Sequence, residues 1–445
     1  MRQASTTART TPRQHDREIL ALAVPAFGAL VAEPLFVIAD SAIVGHLGTP
    51  QLAGLGVAAA LLTTAVSVFV FLAYATTAAV SRRVGAGDLQ AAIRQGMDGI
   101  WLALLLGAAV VALVLPTAPW LISLFGASDT VAPYGVTYLR ISALGIPAML
   151  VVLAATGVLR GLQDTRTPLY VAVGGFAANA ALNVGLVYGA DLGIAGSAWG
   201  TVIAQCGMAA AYLVVVVRGA RAHRASLRPD AAGIRACAHA GAPLLVRTLS
   251  LRAVLMIATA VAARLGDADI AAHQILLSLW SLLAFALDAI AIAGQAIIGR
   301  YLGAGDTDGA KAVCRRMVQW GIGSGIVLGL LVVACRPLFV PLFTSDPAVK
   351  DVLMPALLVV ALSQPVSGIV FVLDGVLMGA GDGPYLAKAM LVTLAVFTPA
   401  ALLVPVVGGG LTTLWWAMTL MMLVRMVTLQ LRARSGRWLV TGATR

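Results

Sequence analysis

The chain has 445 residues, of which 60% are hydrophobic and only 11% charged, at a mean hydropathy of +0.94. A composition this apolar excludes a soluble globular protein and identifies a polytopic membrane protein. The net charge of +11 does not point to nucleic acid, because the basic residues are distributed by topology and not gathered in one patch.

The first 17 residues are polar and rich in Arg and Thr, with neither an apolar core nor a cleavage site of the A-x-A kind. They are expected to form a tail, with the first span serving as an uncleaved insertion signal. Thereafter apolar windows of the length that crosses a bilayer, about 20 residues, recur twelve times. They run roughly over 19–44, 52–80, 93–115, 132–157, 168–189, 192–217, 238–264, 269–298, 313–334, 350–378, 384–405 and 410–431. If the amino terminus is inside, its side of the membrane holds the basic tail, Arg82, Arg83, Arg94, Arg160 and Arg166, the central run Arg218 to Arg235, and then Arg300, Lys311, Arg315, Arg316, Lys388 and Arg432. Arg140, Arg264, Arg336 and Lys350 fall on or near the opposite side. By the positive-inside rule both termini are expected to be cytoplasmic.

The first span carries two carboxylates, Glu33 and Asp40, seven residues apart and therefore on one helical face. An ionisable group inside a membrane costs several kcal/mol unless it is paired, hydrated or protonated, so it marks a proton or ion pathway by default. Pro25 and Pro34 lie in the same span. Each removes an amide hydrogen and clashes with the preceding turn, a physical cause for a bend.

A shift of 218 residues lays the chain on itself without a gap. RRVGAGD (82–88) falls on RYLGAGD (300–306), Pro25 on Pro243, Gly48 on Gly266, Pro147 on Pro365, and Asp164 on Asp382. The fold class expected is an all-α membrane protein of twelve transmembrane helices, in two six-helix lobes related by a pseudo-two-fold along the membrane normal. The divisions are a tail over 1–17, an N-lobe over 18–217, a linker over 218–237, a C-lobe over 238–431 and a tail over 432–445. Intramembrane charges escape the duplication. Glu33 falls on Leu251, Asp40 on Ala258, Asp288 on Val70, Asp374 on Thr156 and Arg247 on Ala29. Symmetry then provides the motion, and residues unique to each half provide the chemistry.

The run PLFVIADSAIVGHLGTPQLAGLGVA, the paired GAGD loops, GVLRGLQDTRTP with its echo GVLMGAGDGP, and DLGIAGSAWGTVIAQ resemble the MATE family of multidrug and toxin extruders, in its DinF-like branch. The resemblance covers the chain beyond its first tail. It implies an antiporter that expels small-molecule drugs or toxins, often organic cations, while protons or sodium ions run inward. It also implies an acid in helix one whose protonation is tied to bending of that helix. Asp40 matches that acid and Pro25 the bend-forming proline, with Pro34 a second weak point. Asn179, Asn183, Thr201 and Tyr138 match the partners expected from spans four to six. Many relatives carry Asp where this chain has Asn183, and an amide cannot hold a negative charge. That loss favours proton coupling through Asp40 over sodium. Glu33 is a poor replacement, since seven residues is roughly 10 Å of helical rise.

In the C-lobe, Arg247 and Arg252, Asp288 and Asp374 form a second set. It reads either as a buried network tying three helices together or as acids that take a cationic substrate or a second proton. The rival class, a lipid-linked precursor flippase, calls for a strongly cationic cavity, whereas the central acids here are expected to equal or outnumber the bases. No H-E-x-x-H and no nucleophile elbow is present, so the chain is not expected to be an enzyme. Neither a metal nor a cofactor is expected, and the partners are the substrate, the coupling cation and the bilayer, with the monomer as the unit. The Ala-, Val-, Gly- and Arg-rich composition suits a high-GC bacterium and hence its plasma membrane. Among lesser features, His46 and His273 are expected at interfaces, Asp98 is expected to pair with Arg94, and the Asp of each GAGD loop to cap the next helix.

Overall fold

The computed structural model describes residues 12–444; residues 1–11 and 445, and the side chains of residues 12, 33, 35–39 and 41, lie outside the described residues. The side chain of Glu33 and most of the amino-terminal tail are therefore among those not described. Every regular element among the described residues is helical. The N-lobe consists of α1 (Pro12–Gly45), α2 (Thr49–Val68), α3 (Phe71–Gly85), α4 (Leu89–Ser123), α5 (Ala132–Ala143), α6 (Ile146–Gly161), α7 (Arg166–Val184) and α8 (Gly193–Ala222). The C-lobe consists of α9 (Ala231–Leu265), α10 (Asp267–Gly303), α11 (Thr307–Phe343), α12 (Pro347–Gly379), α13 (Gly383–Val406) and α14 (Leu411–Arg434). α2 and α3 together make one span, a five-residue π turn (Gly185–Gly189) prolongs α7, and α5 and α6 share one span bent by 48°. With α1, which stays helical across Pro25 and Pro34, this is the architecture of twelve membrane helices in two lobes.

The duplication is visible in the backbone. Gly48 and Gly266, twins under the shift, both end a turn with positive φ, 135° and 144°, a region that glycine enters without steric cost. Asp88 Oδ1 accepts from Ala91 N at 2.8 Å and Asp306 Oδ1 from Gly309 N at 2.7 Å, so each GAGD loop does cap the helix that follows.

The twins part at Pro147 and Pro365. Pro147 opens α6 just after the Leu144–Gly145 break, whereas α12 runs unbroken through Pro365. In α12 the side chains of Ser363 and Gln364 both donate to the Val360 carbonyl, at 2.8 and 3.0 Å, supplying hydrogen bonds near the place where the proline ring withholds one. Their counterparts in the N-lobe, Gly145 and Ile146, have no such donor.

The lobes meet most closely on the face that carries both described ends of the chain, called here the terminal face. α3 and α10 cross there, with Gly299 against Ser81 and Gln295 Nε2 donating to the Tyr74 carbonyl at 2.5 Å. The twin arginines reach across in opposite senses. Arg82 donates to the carbonyls of Ala380 (3.0 Å), Gly442 (3.3 Å) and Val440. Arg300 donates to Gln163 Oε1 at 2.7 Å and pairs with Glu18. The segment after α14 is fixed in this crossing, with Trp438 buried and Gly442 N donating to the Leu302 carbonyl at 3.0 Å.

Three expectations are corrected. Arg94 pairs with Asp230 at 3.0 Å, not with Asp98. Asp98 is buried against Gly233, in the first turn of α9, because the linker folds back over α4. His273 is fully buried, 3.4 Å from Thr259 and beside Trp415, and so is not interfacial. Arg252 is exposed and makes no ion pair among the described residues.

Candidate functional site

Asp40 lies near the end of α1 distal to the terminal face, buried among α5, α7 and α8. Its Oδ1 accepts from Asn183 Nδ2 at 2.6 Å and from Ser197 Oγ at 2.7 Å, and its Oδ2 accepts from Tyr138 OH at 3.3 Å. One turn back on α7, Asn179 Nδ2 donates to Thr201 Oγ1 at 3.2 Å. The residues fall into place by helical spacing: Asn179 and Asn183 are four apart on α7, as are Ser197 and Thr201 on α8. Gly200 admits the cluster, since a Cβ at that position would stand 2.0 Å from Asn183 Oδ1.

All the donors to Asp40 are neutral, and among the described residues no basic side chain forms an ion pair with it. An isolated buried carboxylate carries a heavy desolvation cost, which a proton or a bound cation removes. The amide oxygens of Asn179 and Asn183 are buried with no donor among the described residues. The site thus holds one carboxylate and two unused acceptors, with no metal-ligating cluster of His, Cys, Asp and Glu among the described residues. Ser197 was missed in the sequence, although its place one turn before Thr201 was a usable signal.

In the C-lobe, Arg247 of α9 donates through Nε (3.2 Å) and Nη2 to Asp374 of α12, and Arg425 of α14 donates to the same carboxylate at 2.8 Å. Two arginines therefore hold one acid, and three helices are tied. Asp288 on α10 stands apart from this pairing; the groups acting on it are Tyr74, Arg160, Arg247 and Asp374. Arg425 was overlooked, although a lone charge in the apolar run MMLVRMVTL announces a buried partner.

Comparison with known proteins places this geometry. The MatE family model matches residues 25–184 and 243–403, the two halves of the repeat. The chain belongs to the MatE family. Over 439 residues it is 31% identical to Protein DETOXIFICATION 44, chloroplastic, of Arabidopsis thaliana, covering 95% of this chain and 83% of that one. It is 29% identical to DNA damage-inducible protein F of Escherichia coli, covering 95% and 94%. The Vibrio cholerae MATE transporter VcmN, solved in its bent form, superposes with a TM-score of 0.87 at 22% identity, over 96% of this chain and 99% of that one. MatE proteins are transporters and not enzymes.

Proposed function

We propose that this MatE transporter is a proton-coupled exporter of organic, often cationic compounds, in which proton uptake by Asp40 is coupled to a change of shape in α1. The carrying observation is the Asp40 carboxylate, buried, held by three neutral donors and lacking a cationic partner among the described residues.

The coupling follows from hydrogen-bond chemistry. A proton on Asp40 turns one accepting oxygen into a donor. With the proton on Oδ2 the Tyr138 hydroxyl turns to accept it, and the bonds that Asn183 and Ser197 donate to Oδ1 lose their charge-assisted character. The network that ties α1 to α5, α7 and α8 therefore rearranges. Pro25 and Pro34 make α1 the element least able to resist, because each removes a helical hydrogen bond. The Arg247–Asp374–Arg425 set serves as a structural tie of the C-lobe, which leaves Asp288 as its carboxylate for cationic substrate or a second proton.

The terminal face is assigned to the cytoplasm by its basic residues, in a bacterial plasma membrane. Closure there by α3 and α10 corresponds to a state open to the outside, from which substrate is released. The test is Asp40→Asn in everted vesicles: the folded, inserted variant is expected to lose proton-driven export of an ethidium-like cation. Full export by that variant would overturn the proposal.

A second reading has an observation of its own. The unused oxygens of Asn179 and Asn183 are the kind of ligand a sodium ion takes beside a carboxylate. Transport driven by a sodium gradient at fixed pH would select it.

A further inference from the structure

On the terminal face, to one side of the α3–α10 crossing, lies a cavity of about 790 Å³ that the Asp40 site does not use. Both lobes line it, α3 and α4 from one and the beginnings of α9 and α13 from the other. One wall is built of short apolar side chains, among them Ala75, Ala79, Ala236 and Ala240. The polar side is basic, with Arg83, His239, Lys388 and Arg432. Asp382 is the one carboxylate among the described lining residues, and Arg432 engages it with hydrogen bonds of 2.6 and 3.2 Å.

Three observations point to an anionic occupant. Arg83 spends one nitrogen on Gln95 Oε1 at 2.8 Å, while its buried Nε has no partner among the described residues. Lys388 makes no ion pair among the described residues. α13 begins at the cavity with Asp382 at its N-cap, drawn to Arg432 and not bonded to the first turn; Pro384 has no amide hydrogen, so the Gly383 and Tyr385 amides and the helix dipole are what favour negative charge there.

The size argues against a small inorganic ion alone. The volume is on the scale of pockets that enclose drug-sized molecules, roughly 300–1,000 Å³, and the alanine wall would remain unfilled. An anion with an apolar continuation satisfies both sides.

We propose that this cavity binds the phosphate headgroup of an acidic phospholipid from the cytoplasmic leaflet, with an acyl segment along the alanine wall. The leaflet rests on the orientation given above; the binding does not depend on the transport reading. The phosphate oxygens take up the positive charges of Arg83 and Lys388, which line the cavity, and the amides of Gly383 and Tyr385. Because the lining comes from both lobes, separation of the lobes on this face would divide the site, so an occupant favours the closed arrangement.

The experiment titrates phosphatidylglycerol into the full-length detergent-solubilised protein under native mass spectrometry, with phosphatidylcholine of the same chains as the reference. The double variant Arg83→Gln/Lys388→Gln is expected to weaken the tightest phosphatidylglycerol by roughly 25-fold, about five-fold for each charge removed near a lipid surface. Arg218→Gln/Arg221→Gln, a double change on the same face outside the cavity, is expected to leave it unchanged. Ala240→Phe keeps every charge and fills the wall, so it carries the test if the double variant does not fold, and it too should weaken the lipid. Equal binding of phosphatidylcholine, an unweakened double variant, or an equal loss in the distant control would overturn the proposal. Displacement of the lipid by glycerol phosphate at equal concentration would assign the site to a soluble phosphate and overturn the lipid reading.

Discussion

Gly85 of α3 rests on the backbone of Arg300 in α10 so closely that a Cβ would stand 2.0 Å from the Arg300 carbonyl oxygen, and its twin Gly303 stands to Arg82 in the same relation at 1.9 Å. Such packing of small residues lets two membrane helices touch backbone to backbone. An alanine at either position must push the helices about 1 Å apart to regain 3.0 Å. Gly85→Ala and Gly303→Ala are therefore expected to lower the population closed on this face. Spin labels at Arg166 and Asp308, one exposed on each lobe, would report a longer inter-lobe distance by double electron–electron resonance. An unchanged distance distribution in both variants would show that the crossing does not hold the face shut.

The scaffold behind that crossing was legible because duplication writes it twice: the glycine turns, the Asp caps and the arginine twins all carry the 218-residue shift. Asn183 and Tyr138 hydrogen-bond to Asp40, and Asn179 to Thr201 one turn away. What escaped is tertiary. Asp230 outcompetes Asp98 for Arg94 because the linker folds back over α4, and helical spacing cannot see a linker. Arg425 binds Asp374 across 51 residues of sequence, in a register that no local pattern gives. Gln163 takes a positive φ of 65° where its twin Gly381 takes 70°. Its side chain, absent from the twin, is what reaches Arg300.

The Asp374 carboxylate holds two arginines in a buried setting, the exposures being 11% and 5% for the Arg247 and Arg425 side chains and 5% for the acid. Removing the acid leaves two buried cations facing one another. Asp374→Asn is expected to destabilise the fold by about 3–5 kcal/mol. Arg425→Met, which leaves the Arg247 pair intact, should cost less. Thermal unfolding in a fixed detergent measures both, and a stability for Asp374→Asn equal to wild type would reassign Asp374 from structural tie to substrate or proton binding.

Asp16, ahead of the apolar part of α1, accepts from Arg316 Nε (2.6 Å), Arg316 Nη2 (2.7 Å) and Trp320 Nε1 (2.8 Å). The hydrogen bonds from Arg316, and then that from Trp320, hold its carboxyl down at about 2, against an ordinary 3.8. The folded value is depressed, so the stabilisation is complete above the ordinary value and fades as pH falls from about 4 to about 2. Asp16→Asn is expected to unfold at a lower temperature than wild type at pH 6, with the gap closing towards about pH 2. A gap that stays constant across that range would show that the pairing does not stabilise the fold through charge.

Asn183 decides which ion the Asp40 site can use. Its amide nitrogen lies 2.6 Å from Asp40 Oδ1, so Asn183→Asp would set two carboxylates in contact with no basic side chain paired to either among the described residues. Like charges so close cannot both persist unless a proton or a cation lies between them. The unused oxygen of Asn179 would then supply a third ligand atom. The variant is expected to export with a sodium dependence that wild type lacks, while wild type follows the proton gradient alone. Ser197→Ala gives the complementary result. It removes one donor to Asp40, at 2.7 Å, and leaves the carboxylate less well satisfied by about 1–3 kcal/mol. It should shift the pH dependence of export without creating a response to sodium. Export by wild type that already responds to sodium at fixed pH, with Asn183→Asp adding nothing, would overturn the proton assignment and place the cation among Asp40, Asn179 and Asn183.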